Sequence, residues 1–419
     1  MFARLLYSLL WMLALPLVLL RLVWRGRRQP GYLHHVSERF GRYLARGNAP
    51  LIWLHAVSVG ETRAAQPLIK ALRGAWPTHH ILITHMTPTG RDTSQALFGD
   101  DPHIHRAYLP YDLSWLTNRF LSHYRPRFGL IMETELWPNL LLTCRRQQLP
   151  VLLVNARLSD RSASRYRRWP SLAGMTVGAL SAIGAQTPAD AARLKAIGAQ
   201  QITVTGNIKF DTEAPTEQLA LGEQFRQWIG PRPVMLAAST RDGEEALLLD
   251  AFLAHAPADA LLIVVPRHPQ RFNEVATLIH ACGLPLQRRS DASPVAQETR
   301  VWLGDSMGEM FAYYAAAQVA LIGGSWLPFG GQNLIEACAV GTPVIIGPHT
   351  FNFLEVAEQA VIHGAAVRAD TPEQGMQSAT RLLTETQARQ QMGSLGRDFA
   401  ATHRGATQRT LALIHTLSE

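Results

Sequence analysis

Apolar residues recur along the chain in short β-rich blocks, each followed by a polar loop and then a helical pattern of apolar positions. Residues 51–57 (LIWLHAV), 80–85 (HILITH), 104–109, 128–133 (FGLIME), 150–155, 181–185 and 201–205 read as strands, with helical stretches between most of them. Near-continuous apolar strands alternating with helices predict a parallel sheet covered on both faces. Residues 212–232 are looser, carrying Pro215, Gly230 and Pro231. The pattern then restarts with strands at 234–238, 260–265, 300–303, 318–322, 343–346 and 365–368. Helices are expected at about 242–255, 270–281, 306–315, 332–339 and 354–362, and two more after Pro372. The expectation is two doubly wound α/β domains, 29–211 and 233–419, joined by a linker at 212–232. A cleft between them is the natural ligand site, because open parallel sheets bind at the carboxyl ends of their strands.

The first 28 residues follow another pattern. Residues 5–20 are almost wholly apolar, with Arg4 before them and Arg21, Arg25, Arg27 and Arg28 after. No small-residue cleavage site follows, as a signal peptide would require. We expect an uncleaved N-terminal membrane anchor, with the positive-inside bias keeping the rest of the chain cytoplasmic. A helix lying in the membrane surface, or a buried amphipathic helix, is the alternative.

Composition adds little against this frame. The 419 residues are 47% hydrophobic and 17% charged, so the chain can bury a large core and is not disordered. A formal net charge of +8 favours acidic partners: nucleic acid, anionic lipid or phosphorylated substrates. Three scattered cysteines, Cys144, Cys282 and Cys338, do not make a disulfide scaffold.

Candidate chemistry sits just after predicted strands. In His55–Glu61 (HAVSVGE), Ser58 is a plausible helix N-cap, and Glu61 either complements the helix dipole or acts as a general base. In METELWPN (132–139), Glu133 and Glu135 follow a strand, and one of the two is expected to cap the next helix. Lys209 of GNIKFD (206–211) either reaches a phosphate or developing charge, or is simply solvated. In the second domain Arg267 and His268 lie between prolines, suited to a phosphate or nucleobase. The segment holding Met307, Gly308 and Glu309 opens a helix with free N–H groups. A Gly-rich stretch leads to Asn333, Leu334, Ile335 and Glu336, where Glu336 could accept from ribose hydroxyls. Each signal alone is weak; on successive strand ends they suggest a nucleotide pocket.

Absent motifs narrow the field. There is no GxxxxGK[ST], no GxGxxG after the first strand and no HExxH. His34-His35, His79-His80 and His103-Ile104-His105 lack a ligand set, so neither metal nor cofactor is expected. Arg161, Arg165, Arg167 and Arg168, beside Tyr166 and Trp169, form either a solvated face or a seat for anionic lipid or substrate phosphates.

The stretches HAVSVGE, PYD (110–112), METELWPN, NARLS (155–159), GNIKFD, AASTRDGEE (237–245), VPRHPQRF (265–272), GGQNLIEA (330–337) and GPHTFNF (347–353) together resemble the 3-deoxy-D-manno-octulosonic acid (Kdo) transferases of lipopolysaccharide synthesis, in order and up to about residue 370. The resemblance implies a GT-B fold of two facing Rossmann-like domains, the first for acceptor and the second for donor. It implies CMP-Kdo as donor, a tetra-acylated lipid A precursor as acceptor, and anchoring on the cytoplasmic face of the inner membrane among anionic lipids. By the same resemblance Glu61 is the general base, and Glu133 and Lys209 stabilise the transition state. Arg267, His268, Met307 to Glu309 and Asn333 to Glu336 line the CMP pocket. A nucleotide-sugar epimerase of the same fold and a non-catalytic tethered binder of acidic ligands are the competing readings. Nucleic acid is not an expected partner, because no recognisable module organises the basic residues.

Overall fold

The computed structural model describes residues 2–44, 47–211 and 213–418. The expected domain limits Met1, Thr212 and Glu419 lie outside the described residues. The chain divides into two compact units, Met1–Asp211 with Arg404–Glu419, and Thr212–His403.

Unit 1 is built on a parallel sheet of β1 (Leu51–His55), β2 (His80–His85), β3 (Ile104–Tyr108), β4 (Phe128–Met132), β5 (Val151–Ala156), β6 (Ala182–Ala185) and β7 (Ile202–Val204). Their spatial order is β3-β2-β1-β4-β5-β6-β7. The inner strands are largely apolar on both faces because helices cover both, whereas the edge strands β3 and β7 keep exposed positions. Leu51 and Trp53 of β1 enter one core, Ile52 and Leu54 the other. Gly129 of β4 is glycine for a reason: a Cβ there would come within 2.5 Å of the Trp53 ring.

Unit 2 repeats the plan with β8 (Val234–Thr240), β9 (Leu261–Pro266), β10 (Leu286–Arg288), β11 (Val301–Leu303), β12 (Val319–Ile322), β13 (Val344–Ile346) and β14 (Ala366–Arg368). Their order is β10-β11-β9-β8-β12-β13-β14, again all parallel. In each sheet the order reverses beside the first strand, between β1 and β4 and between β8 and β12. Loops leaving the carboxyl ends of those pairs are where such sheets take ligands.

Several expectations change. Strand β10 has no counterpart among the expected strands, since a three-residue edge strand with two polar positions gives no apolar block. Residues 212–232 are not merely a linker: Thr216–Ile229 is a helix whose Gly222 lets it approach Ala312 and Ala315, while Phe225 meets Trp302 and Tyr313 edge-on or tilted. The helix expected at 306–315 runs from Met310 to Ala316, leaving 306–309 in a loop. Among the described residues three helices, not two, run from Pro372 onward, and the last, Ala406–Ser418, belongs to unit 1. There Ala406 and Ile414 join the core beneath β1, and Asp211 accepts the N–H groups of Ala406 and Thr407.

The N-terminal helix, Phe2–Arg28, is long and apolar enough to cross a membrane by length and composition. It is laid along unit 1. Trp11, Leu15, Val18 and Leu19 pack on Tyr111, Leu113 and Leu116, while Phe2, Leu5, Leu9, Leu13, Leu17 and Leu20 face outward.

Candidate functional site

Glu61 lies in the first turn of the helix Val59–Ala64, directly after β1. Ser58 caps that helix by accepting the Glu61 N–H, and its hydroxyl donates to Glu61 Oε1 at 3.1 Å. The Val57 N–H donates to Oε2 at 2.8 Å. The carboxylate is therefore a helix-capping group by geometry, and a poised one by electrostatics. Burial raises its pKa to about 7, the Val57 N–H and Ser58 hydroxyl pull it back, and the charges of Glu133 and Glu135 add to the rise. An acid that titrates near neutral pH suits proton abstraction.

Glu133 follows β4, the strand paired with β1 where the order reverses. Its φ of +56° is a left-handed conformation that a non-glycine residue rarely adopts. The Glu133 N–H remains tied to Val154 O at 3.0 Å, and its carboxylate receives Lys209 Nζ at 2.8 Å. Lys209 is carried on the short turn Ile208–Phe210, whose amides are held by Asn155 Oδ1 and Asn207 Oδ1. Glu135 is engaged by the Trp137 indole N–H at 2.8 Å. Glu61, Glu133 and Lys209, far apart in sequence, thus converge at one end of the unit 1 sheet.

In unit 2, Arg267 and His268 follow β9, and the Arg267 N–H is fixed by Thr240 O at 2.9 Å. Burial lowers the His268 pKa, and the cations Arg241, Arg267 and Arg271 lower it further. Its Nε2 lies 3.0 Å from Arg241 Nη1. This basic cluster suits a multiply charged anion. Glu336, on the helix Ile335–Val340, has its pKa raised by burial, opposed by the Asn333 amide at 3.2 Å and by the charge of Arg267. Asn333 also accepts the Ile335 N–H. Leu334 and Ile335 are buried beneath this turn and act as its packing. Glu309 spends its carboxylate on Arg289 Nε and Nη2 and on the Ser306 hydroxyl, so what it can offer a ligand is backbone. Beside it, Met307 is exposed and the space around Gly308 is open.

Arg241, Glu244 and Glu245 stand out only in the folded chain. Glu244 is fully buried and accepts N–H groups from Arg241, Gly324, Trp326 and Leu327 at 2.6–3.3 Å. It ties the loop after β8 to the loop after β12, at the reversal of strand order. Gly323 permits this approach, since a Cβ would meet Ser239 O at 2.5 Å. Glu245, also buried, accepts from Thr240 and Arg271, placing the latter in the basic cluster. Paired acids opening a helix read locally as dipole partners; their place after the first strand of the unit was the available signal.

Residues 34–212 match the family described as 3-deoxy-D-manno-octulosonic-acid transferase (kdotransferase), and residues 274–399 match glycosyl transferases group 1. A 3-deoxy-D-manno-octulosonic acid transferase of Bordetella pertussis is 47% identical over 94% of this chain and 95% of its own length. One from Haemophilus influenzae is 36% identical over 98% of each. Among solved structures, a glycosyltransferase from Rickettsia africae superposes with a TM-score of 0.61 at 13% identity, covering 89% of this chain and 99% of that one. That last likeness speaks to fold alone, and the fold class is the GT-B type of two Rossmann-like units.

Proposed function

This chain belongs to the 3-deoxy-D-manno-octulosonic acid transferase family, and on that premise we propose that it moves Kdo from CMP-Kdo to a tetra-acylated lipid A precursor, inverting the anomeric centre and using no metal. The observation that carries the reading is Glu61: a carboxylate with a pKa near 7 beside the Glu133–Lys209 pair, at the strand-order reversal of unit 1.

The acceptor is a primary hydroxyl of a phosphorylated disaccharide, and its alkoxide is too basic to exist free at neutral pH. Glu61 takes the proton as the new C–O bond forms. The bond from the anomeric carbon to the cytidylate phosphate breaks in the same displacement, and attack opposite the leaving group inverts that carbon. Lys209, oriented by Glu133, stabilises the transition state. Arg267 and His268 receive the charge on the departing phosphate, and the turn holding Asn333 and Glu336 takes the ribose. With these cations supplying positive charge, a divalent ion has no necessary part.

The N-terminal helix would hold the enzyme on the cytoplasmic face of the inner membrane. Its inward side is occupied by unit 1, so the outward apolar side would enter the lipid with the axis along the surface, and Arg25, Arg27 and Arg28 would meet anionic headgroups.

The test is mass spectrometry of the lipid A precursor after incubation with enzyme and CMP-Kdo, with and without EDTA. A mass increase of one or more Kdo units, unaffected by EDTA and lost in Glu61→Gln, supports the reading. No transfer by the wild type, or normal turnover by Glu61→Gln, removes it.

A further inference from the structure

The N-terminal helix carries a polar stripe that a tether has no use for. Arg4, Tyr7 and Ser8 lie on its inward side and converge on one place in unit 1, the start of the helix Pro138–Arg146. That helix begins where the acidic loop 133–137 ends. The loop is hung at two points: at Glu133, whose N–H is paired with β5, and at Pro138, whose position is set by what holds the helix start.

What holds it is Asp112, the acid of the PYD segment. Its two carboxylate oxygens accept the N–H groups of Asn139 at 3.0 Å and Leu140 at 2.8 Å, a bidentate cap supplied from a different loop. The Asn139 side-chain amide returns a bond to Asp112 O at 2.8 Å. Asp112 is 1% exposed and Asn139 is fully buried, so each remaining polar valence needs a partner. Ser114 Oγ donates to Asn139 Oδ1 at 3.0 Å, and the N-terminal helix provides the other partners. Tyr7 donates to Asp112 Oδ2 at 2.9 Å and is itself held by the Trp11 indole N–H at 2.8 Å. Arg4 Nε donates to Asn139 Oδ1 at 3.0 Å, and Ser8 Oγ accepts from Asn139 Nδ2 at 3.0 Å.

We propose that the N-terminal helix is a positioning element of the catalytic loop as well as an anchor, with Tyr7 and Arg4 completing the Asp112–Asn139 clamp that sets where Glu133 and Glu135 are held. Tyr7 and Arg4 touch no reacting atom; they act through the clamp. The inference rests on the Kdo transferase reading for the consequence in turnover, but the clamp itself is independent of it.

The experiment compares the full-length wild type with Tyr7→Phe, which removes one hydroxyl from an otherwise unchanged ring, and with Tyr7→Phe/Arg4→Met. Three quantities are read: hydrogen exchange of the Asn139 and Leu140 amides, kcat and KM for CMP-Kdo with dispersed acceptor, and partition onto vesicles of phosphatidylethanolamine and phosphatidylglycerol. The proposal expects amide protection to fall about tenfold in Tyr7→Phe. It expects kcat to fall about tenfold or more with KM for CMP-Kdo held within about twofold. Vesicle partition should not change, because the outward residues are untouched. Protection and kcat both at wild-type values would overturn the proposal, and so would lost protection with unchanged kcat. If the double variant does not fold, Tyr7→Phe alone decides. If the wild type transfers no Kdo, the functional reading fails separately, and unchanged amide protection in Tyr7→Phe would still overturn the clamp.

Discussion

Lys209 Nζ lies 2.8 Å from Glu133 Oε1, joining the loop after β4 to the turn after β7. Neither partner is deeply buried, at 38% and 25% side-chain exposure, so the pair is worth little to folding, about 0–1 kcal/mol. Its worth is orientation: the lysine is aimed by an acid whose own backbone is held in a left-handed conformation.

Lys209→Met therefore separates function from stability. We expect kcat to fall by about a hundredfold or more, the scale of losing one preorganised cation at a developing charge, with melting temperature nearly unchanged. Steady-state kinetics beside thermal denaturation checks both. A large loss of stability together with preserved turnover would place Lys209 in the scaffold instead.

Glu61 should govern the acid side of the pH profile. With its pKa at about 7, the protonated form gains as pH falls below neutrality and cannot accept the acceptor's proton. We expect kcat/KM to decline below about pH 7 in the wild type. Glu61→Gln should retain CMP-Kdo binding by calorimetry while losing about a hundredfold or more in turnover.

The same residue makes a stability prediction of opposite sense. Its folded pKa lies above the ordinary 4.5, so the folded state holds the proton more tightly than the unfolded chain does. That favours folding at low pH and is lost as pH rises through about 7, where the partly buried charge opposes the fold. Glu61→Gln should match the wild type near pH 4 and be more stable at pH 8, by about 1–3 kcal/mol. Denaturant melts at the two pH values decide it.

Much of this arrangement is legible in the sequence because it depends on local pattern. Of the fourteen strands among the described residues, thirteen fall where the sequence pattern predicts a strand, and Ser58 and Glu61 carry a readable cap. The sequence left Glu61 between cap and base, and the structure gives a physical reason for the ambiguity: the same carboxylate accepts the Val57 N–H and is held at a raised pKa. What escapes a linear reading is tertiary. Arg4 and Tyr7 look like incidental polar residues in an apolar anchor until Asp112 and Asn139, more than a hundred positions away, supply their partners. Helix Thr216–Ile229 lies between prolines and so resembled a linker. Glu244 shows its role only once the loops after β8 and β12 are brought together.

Glu244 should matter to donor binding although it contacts no predicted ligand position. Glu244→Ala leaves four N–H donors without their shared acceptor in a buried place, at an expected cost of about 2–5 kcal/mol. The loop 323–327 would loosen, and KM for CMP-Kdo should rise more than kcat falls. Glu244→Gln, which keeps an acceptor oxygen, should recover part of both. Equal damage from the two variants would mean that charge, not hydrogen bonding, holds the loop.

Removing residues 404–419 should destabilise unit 1, although they follow unit 2 in the chain. The helix Ala406–Ser418 covers the face of the unit 1 sheet that presents Ile52 and Leu54, with Ala406 and Ile414 buried against it and the His415 ring stacked on Trp76 at 4.5 Å. It is pinned by Asp211, two residues beyond Lys209, and by Arg409 Nε donating to Thr205 O at 2.8 Å. Truncation would therefore free both sides of the turn that carries Lys209 and uncover apolar surface worth about 25 cal/mol per Å². Hydrogen exchange should quicken in β1, β6 and β7 while β8, β9 and β12 keep their protection, and turnover should fall with Lys209's placement. Faster exchange confined to unit 2 would show that the helix supports the other half of the protein, against the packing described here.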